Sequence, residues 1–376
     1  YLSFVCLGLT AADKNIIFFI TDDQSPTLGC YGDPMAQTPA IDALAEDGTL
    51  FSNAFATTAS CSASRSVVMS GLHNHANGQY GHQHAFHKFS SYFNVIGLSL
   101  PRNLTDAGYR TGHIGKYHVS PEEVFRFETY LKGNSRNAVQ MAEQTQEFIT
   151  AKRDQPFFLY FATSDPHRGG GKDKNSKRTH KPDLFGNKPD GKSHDGVEEI
   201  FYSPKDVPIP HFLSDTPETR EELAQYYQSV SRIDQGLARL IEILKEAKLY
   251  DKTMIVFTSD HGMAFAGGKT TVYEGGLKVP FVVRNPYEKN RGVKHSALIS
   301  HIDITPSLLD FAGAMDIQKN RPKSWGDPKK SFPPPQTGGP KDNRGVTGKL
   351  SSYHGKSWLS ILGHSTKKHW NEIFAS

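Results

Sequence analysis

The chain has three cysteines in 376 residues, Cys6, Cys30 and Cys61, and no two are spaced as a disulfide framework or a zinc site requires. It lacks any apolar run approaching the roughly 20 residues needed to span a bilayer as a helix. A dominant charge is also missing. Forty-three Lys and Arg face 39 Asp and Glu, and the net charge of +4 is too small to indicate a nucleic-acid partner, though it would not repel a polyanion. These absences exclude a disulfide-stapled module, a zinc ribbon and a helical membrane protein. The cysteines leave the compartment open. What remains is a chain with apolar residues enough for a sizeable core.

That apolar content is organised. The short, continuously apolar runs 15–20, 109–114, 156–161 and 253–257 read as strands covered on both faces. Helical spacing lies between them, first after Thr38-Pro39 (Ile41, Leu44, Ala45). A longer stripe within 221–248 carries Leu223, Tyr226, Tyr227, Val230, Ile233, Leu237, Leu240, Ile241 and Leu244. The expectation is an α/β fold with a mostly parallel sheet sandwiched by helices. In such sheets, ligands bind beyond the carboxyl ends of the strands. Each run delivers polar residues there: Asp22-Asp23, Lys116 and His118, Asp165 and His167-Arg168, and Asp260-His261.

Adjacent carboxylates repel unless a cation lies between them, so Asp22, Asp23 and Asp260 predict a metal. For the Asp22-Asp23 pair alone, a turn with a helix cap is the alternative. Oxygen-rich coordination favours calcium or magnesium, and His261 keeps manganese or zinc open. Arg65, Lys116 and Lys269 supply donors for a tetrahedral anion. His118 and His167 are candidates for proton transfer. The histidines at 73, 75, 82, 84 and 87 fit no standard metal spacing and read as a polar loop along the cleft.

Cys61 stands in Cys61-Ser62-Ala63-Ser64-Arg65, followed by Met69-Ser70-Gly71. Alone it is equally a small buried cysteine. The run resembles the signature of the type I sulfatase family, in the alkaline-phosphatase-like superfamily. Further runs match in the family's order: 112–118 with Val119 and Pro121-Glu122, 157–168, and Asp215-Thr216-Pro217 through Gln225-Tyr226 to 232–236. They continue with 257–262 and 355–362. Within the family the chain is similar to the heparan N-sulfatase branch.

The resemblance implies hydrolysis of sulfate esters or sulfamates, with N-sulfoglucosamine of heparan-type glycans as substrate. It implies oxidation of Cys61 to formylglycine by a maturation enzyme, and calcium held by Asp22, Asp23, Asp260, His261 and the modified Cys61. Arg65 and Lys116 would hold the formylglycine hydrate, and Lys269 would contact the sulfate. His167 would protonate the leaving atom, His118 would take the second hydroxyl proton, and Asp165 and Arg168 would contact the sugar. Ala63 departs from the family's usual proline. His261 stands where the N-sulfatase branch has asparagine, and Lys269 where it can have arginine. An O-sulfatase, a phosphoesterase or phosphonate hydrolase of the same fold, and a non-catalytic glycan-binding protein are the alternatives.

Residues 1–12 read as a signal-peptide remnant, with a first strand as the alternative, and therefore as a mark of export. Residues 13–376 form the catalytic domain, expected to lack most of the family's small C-terminal antiparallel subdomain. Residues 169–196, with Lys172, Lys174, Lys177, Arg178 and Lys181, read as a basic lid or a solvated insertion. Residues 319–349 read as a flexible loop. Asn103-Leu104-Thr105 is a glycosylation sequon.

Overall fold

The structure is a computed structural model that describes residues 14–84, 88–152, 154–169, 184–188, 192–316 and 352–375. The signal-peptide expectation, the basic cluster at 172–181 and the loop at 319–349 fall outside the described residues.

Eight strands form one sheet: β1 (Asn15–Thr21), β2 (Thr49–Phe55), β3 (Arg110–Gly115), β4 (Thr129–Leu131), β5 (Phe157–Ala162), β6 (Thr253–Ser259), β7 (Phe281–Arg284) and β8 (Val293–Ser300). Their order is β4-β3-β5-β1-β6-β7-β2-β8, and every pairing is parallel except those of β7 with β6 and β2. The helices are α1 (Pro39–Glu46), α2 (Cys61–Ser70), α3 (Asn74–Asn77), α4 (Leu100–Asp106), α5 (Ala138–Gln144), α6 (Gln146–Thr150), α7 (Pro217–Glu246), α8 (Glu274–Leu277) and α9 (Ile304–Phe311).

Strand β1 shows why its run is apolar throughout. Ile16, Phe18 and Ile20 point into a core with Val68 of α2, Leu104 of α4 and Leu308 of α9. Ile17 and Phe19 point into the opposite core with Ile41 of α1, Met141 of α5 and Tyr226, Ile233 and Leu237 of α7. Each such side chain contributes roughly 1.5–3 kcal/mol of transfer free energy. The expected α/β sandwich is therefore present, and the four predicted strands are the contiguous centre β3-β5-β1-β6. Their carboxyl ends share one edge.

Helix α7 begins a turn earlier than the apolar stripe suggests. Pro217 occupies its first position, and the Thr216 side chain accepts the Thr219 N–H as an N-cap. The same helix caps another: Asp234 accepts the backbone N–H groups of Ala40 and Ile41 at the start of α1. Asn103 is fully buried in α4 and donates to Gly97 O and Tyr353 Oη, so the sequon is a packed helical residue and not a surface acceptor.

Gly115 links β3 to Lys116 at φ +90°, and a Cβ there would lie 2.0 Å from Ala162 O. Gly115→Ala is expected to cost at least roughly 1–3 kcal/mol, because a left-handed backbone and a backbone contact must both yield. Urea unfolding checks this, and unchanged stability would contradict the packing. Further on, Trp358 is wholly buried, edge-on to Phe281, and its backbone N–H donates to Ser307 Oγ. The 355–362 run thus packs into the core beneath α9.

Candidate active site

Five non-glycine residues among those described adopt positive φ, and three of them gather at this edge: Asp23 (64°), His118 (53°) and Thr270 (68°), which follows Lys269. Backbone held in that region concentrates where side chains must be aimed. Asp22 and Asp23 follow β1, Asp260 and His261 follow β6, Lys116 and His118 follow β3, and Asp165 and His167 follow β5. Helix α2 starts at Cys61, and all ten of its residues are buried. Its small residues let it sit tightly under the edge. Asn74 Nδ2 donates to Ala63 O, and Asn77 Nδ2 donates to Ser66 Oγ. Ala63 is the third residue of the helix, where a backbone N–H has no intrahelical partner, so alanine and proline fit alike.

Three carboxylates and three cations interlock. Arg65 Nε donates to Asp260 Oδ2 at 2.9 Å, and Arg65 Nη2 lies 3.4 Å from Asp22 Oδ1. Lys116 Nζ pairs with Asp22 Oδ2. Lys269 Nζ reaches Asp23 Oδ1 at 2.8 Å and Cys61 Sγ at 3.3 Å. His261 Nε2 lies 3.3 Å from the same sulfur and 3.2 Å from Asp23 Oδ1. His167 Nε2 approaches Asp23 Oδ2 at 3.8 Å. Asp22, Asp23, Asp260, His261 and Arg65 are all fully buried.

Burial would raise the Asp22 carboxyl, but Lys116 and Arg65 outweigh it and hold the group well below the usual carboxylate range. Burial pushes Asp260 up, against Arg65 and with Asp22. Burial, then Asp22, Asp260 and Asp23, pushes the Cys61 thiol well above its ordinary value. A cysteine so surrounded is protonated at neutral pH and is a poor thiolate nucleophile. Burial, then Lys116 and Arg65, brings His118 down to about 2, and burial lowers His167 against the pull of Asp22 and Asp23.

Two ligand-like sets include Cys61 on its acidic side: Asp22, Asp23, Cys61 and His167, and Cys61, Asp260 and His261. In each, the donor atoms lie within 4.8 Å of one another. Buried carboxylates converging with one or two imidazoles suit a hard divalent ion. The expectation of a divalent metal therefore fits the residues present.

Asp165 is placed differently from its expected sugar contact. Its Oδ1 accepts from Arg136 Nη1 and its Oδ2 from Arg232 Nε, both at 3.0 Å, and it is buried. Arg136 also donates to the carbonyls of His167 and Gly169, and Arg232 to Asn187 Oδ1 and Phe185 O. This triad, with Asp165 and Arg232 buried, fixes the turn that presents His167. Arg168 pairs with Glu222 of α7 at 2.7 Å and stays 35% exposed. Of the histidines expected along the cleft, His87 lies outside the described residues, while His82 and His84 reach it: their rings stack on His118, and His118 Nε2 meets His84 Nδ1 at 2.7 Å. His73 and His75 stack instead with His354, away from this group.

Sequence reasoning missed Arg136, Arg232 and His301. His301 Nδ1 lies 3.1 Å from Ser64 Oγ, which donates to Asp260 O, so His301 buttresses α2 behind Cys61. Burial lowers His301 to about 3 and His113 to about 4. Both are neutral in the fold but protonate near 6.5 when unfolded, so their contribution is present above that pH and is lost as pH falls toward 4 and 3. Each is expected to lower stability by roughly 1.4 kcal/mol per pH unit below about 6.5. Urea titrations at pH 7 and pH 5 check the slope, and equal stabilities would contradict it.

The family model for Sulfatase matches residues 14–314. The chain belongs to the sulfatase family. This sulfatase-family chain is 37% identical over 322 residues to human N-sulphoglucosamine sulphohydrolase, covering 81% of its own length and 62% of that relative's. Its fold resembles a solved structure in complex with its substrate D-glucosamine-2-N,6-O-disulfate, with TM-score 0.62 and 20% identity over 95% of this chain and 82% of that one. It also resembles the phosphonate monoester hydrolase of Agrobacterium radiobacter, with TM-score 0.60 and 18% identity over 84% and 79% of the two chains. At those identities the likeness concerns the fold alone. Among the described residues, no helix is long and apolar enough to cross a membrane.

Proposed function

We propose that the chain is an exported hydrolase that removes sulfate from the N-sulfoglucosamine of heparan-type glycans, with residue 61 acting as a formylglycine nucleophile. The observation that carries this reading is Cys61 at the buried start of α2, enclosed by Asp22, Asp23 and Asp260 and by Arg65, Lys116 and Lys269. The 37% identity to an N-sulphoglucosamine sulphohydrolase supports the N-sulfate. The unmodified Sγ stands where an oxygen of the formylglycine would lie, and a maturation enzyme would make the conversion.

A divalent cation, calcium by preference over magnesium or manganese, would be held by Asp22, Asp23, Asp260, His261 and residue 61, and would polarise a sulfate oxygen. The chain's own groups do the rest. One hydroxyl of the hydrated residue 61 attacks sulfur, and the S–N or S–O bond breaks. His167 delivers the proton to the leaving atom. Arg65 and Lys116 orient the attacking hydrate, and Lys269 stabilises the charge on sulfate. His118, neutral through its lowered pKa, takes the proton of the second hydroxyl, so that sulfate departs and the aldehyde re-forms. Arg168, partly exposed beside His167, contacts the sugar.

Asp260→Ala is expected to abolish both metal retention and sulfate release, and treatment of the parent enzyme with chelator should do the same. Metal analysis with ion chromatography of sulfate reads both, and an Asp260→Ala variant active in chelator would refute the metal assignment. N-sulfoglucosamine is expected to outpace 6-O-sulfated glucosamine and phosphonate monoesters. The reverse order would leave the nucleophile standing but displace the substrate.

A further inference from the structure

The acidic side of Cys61 is matched by a second, chemically different side. One ring nitrogen each of His82 and His118 lies within 4.8 Å of Cys61 Sγ and of the other. Both rings carry a buried Nδ1 with no hydrogen-bond partner among the described residues. Positive φ at His118 holds its backbone in a rarely used conformation, and His84 Nδ1 meets its Nε2 at 2.7 Å. The loop bearing His82 is tied to α2 through Gln83 N–H donating to Ser62 Oγ. A metal-ligating imidazole characteristically gives its other N–H to such a partner, which fixes its tautomer.

We propose that the unconverted, thiol form of the chain binds a soft divalent ion of the zinc class on Cys61, His82 and His118. One sulfur and two imidazole nitrogens form a donor set that selects zinc over calcium, the opposite preference to the carboxylates across the cleft. The ion replaces the S–H proton, which passes to solvent, and both imidazoles ligate as neutral rings. Oxidation of Cys61 removes the one sulfur shared by both sides and leaves the oxygen set. Resting on the formylglycine reading, the zinc site belongs to folded chains in which Cys61 has escaped conversion.

The test uses the full chain produced without a formylglycine-generating enzyme, titrated with cobalt(II) as the spectroscopic probe and then with zinc. The expected result is one equivalent of cobalt with a thiolate-to-cobalt absorption band, bleached by zinc. The band is kept in Cys30→Ser, lost in Cys61→Ser, and accompanied by at least roughly tenfold weaker binding in His82→Ala and His118→Ala. Circular dichroism of each variant establishes that it is folded. Absence of a thiolate band in the parent, loss of it in Cys30→Ser, or undiminished binding in both histidine variants would overturn the site. Failure of the formylglycine reading would show instead as an unchanged Cys61 mass after co-production with the maturation enzyme, a result that leaves the cobalt titration untouched.

Discussion

Cys61→Ala is expected to lower sulfate release by at least roughly four orders of magnitude while leaving the fold intact. The side chain is 1% exposed at the first position of α2, and its sulfur touches His261, Lys269 and Asp23 without anchoring any of them alone. Removing one sulfur therefore costs little stability but leaves no atom to attack. Initial rates on N-sulfoglucosamine, with a thermal melt alongside, give both readouts. A variant that retains sulfate release would refute the mechanism. A parent that binds heparin-like chains without releasing sulfate, with binding unchanged in the variant, would favour a glycan-binding role.

The largest loss of stability is expected at Asp165. Asp165→Ala removes the shared acceptor of Arg136 and Arg232, and Arg232 is left 1% exposed with its charge uncompensated. Breaking a buried pair in this way costs about 3–5 kcal/mol. Urea unfolding measures that cost. Because Arg136 also holds the His167 carbonyl, the folded fraction of the variant is expected to lose turnover as well. A stable and fully active variant would mean that Asp165 neither anchors the turn nor positions His167.

The architecture was largely legible because its signals are local. Runs buried on both faces are apolar at every position, and each central run ends abruptly in charge, so Asp22, Lys116, His167 and Asp260 could be assigned to one edge from the sequence. The triad around Asp165 was not legible in the same way. The family resemblance implied a substrate contact for Asp165, whereas its partners lie 29 and 67 residues away in the sequence. Arg232 did carry a signal, as a charged residue within the most buried stretch of α7. His301 carried none, since its contact with Ser64 depends on how the 3-10 turn after β8 packs against α2. His82 and His84 were assigned to the cleft only as a polar loop, because ring stacking on His118 has no sequence period.

The central claim is that residue 61 is the nucleophile as an aldehyde and not as a thiol. The most direct test is the mass of the peptide containing Cys61, from protein produced with a formylglycine-generating enzyme and assayed for sulfate release in the same preparation. The account predicts conversion from thiol to aldehyde, with activity rising in proportion to the converted fraction. Sulfate release from protein in which every Cys61 remains a thiol would contradict it.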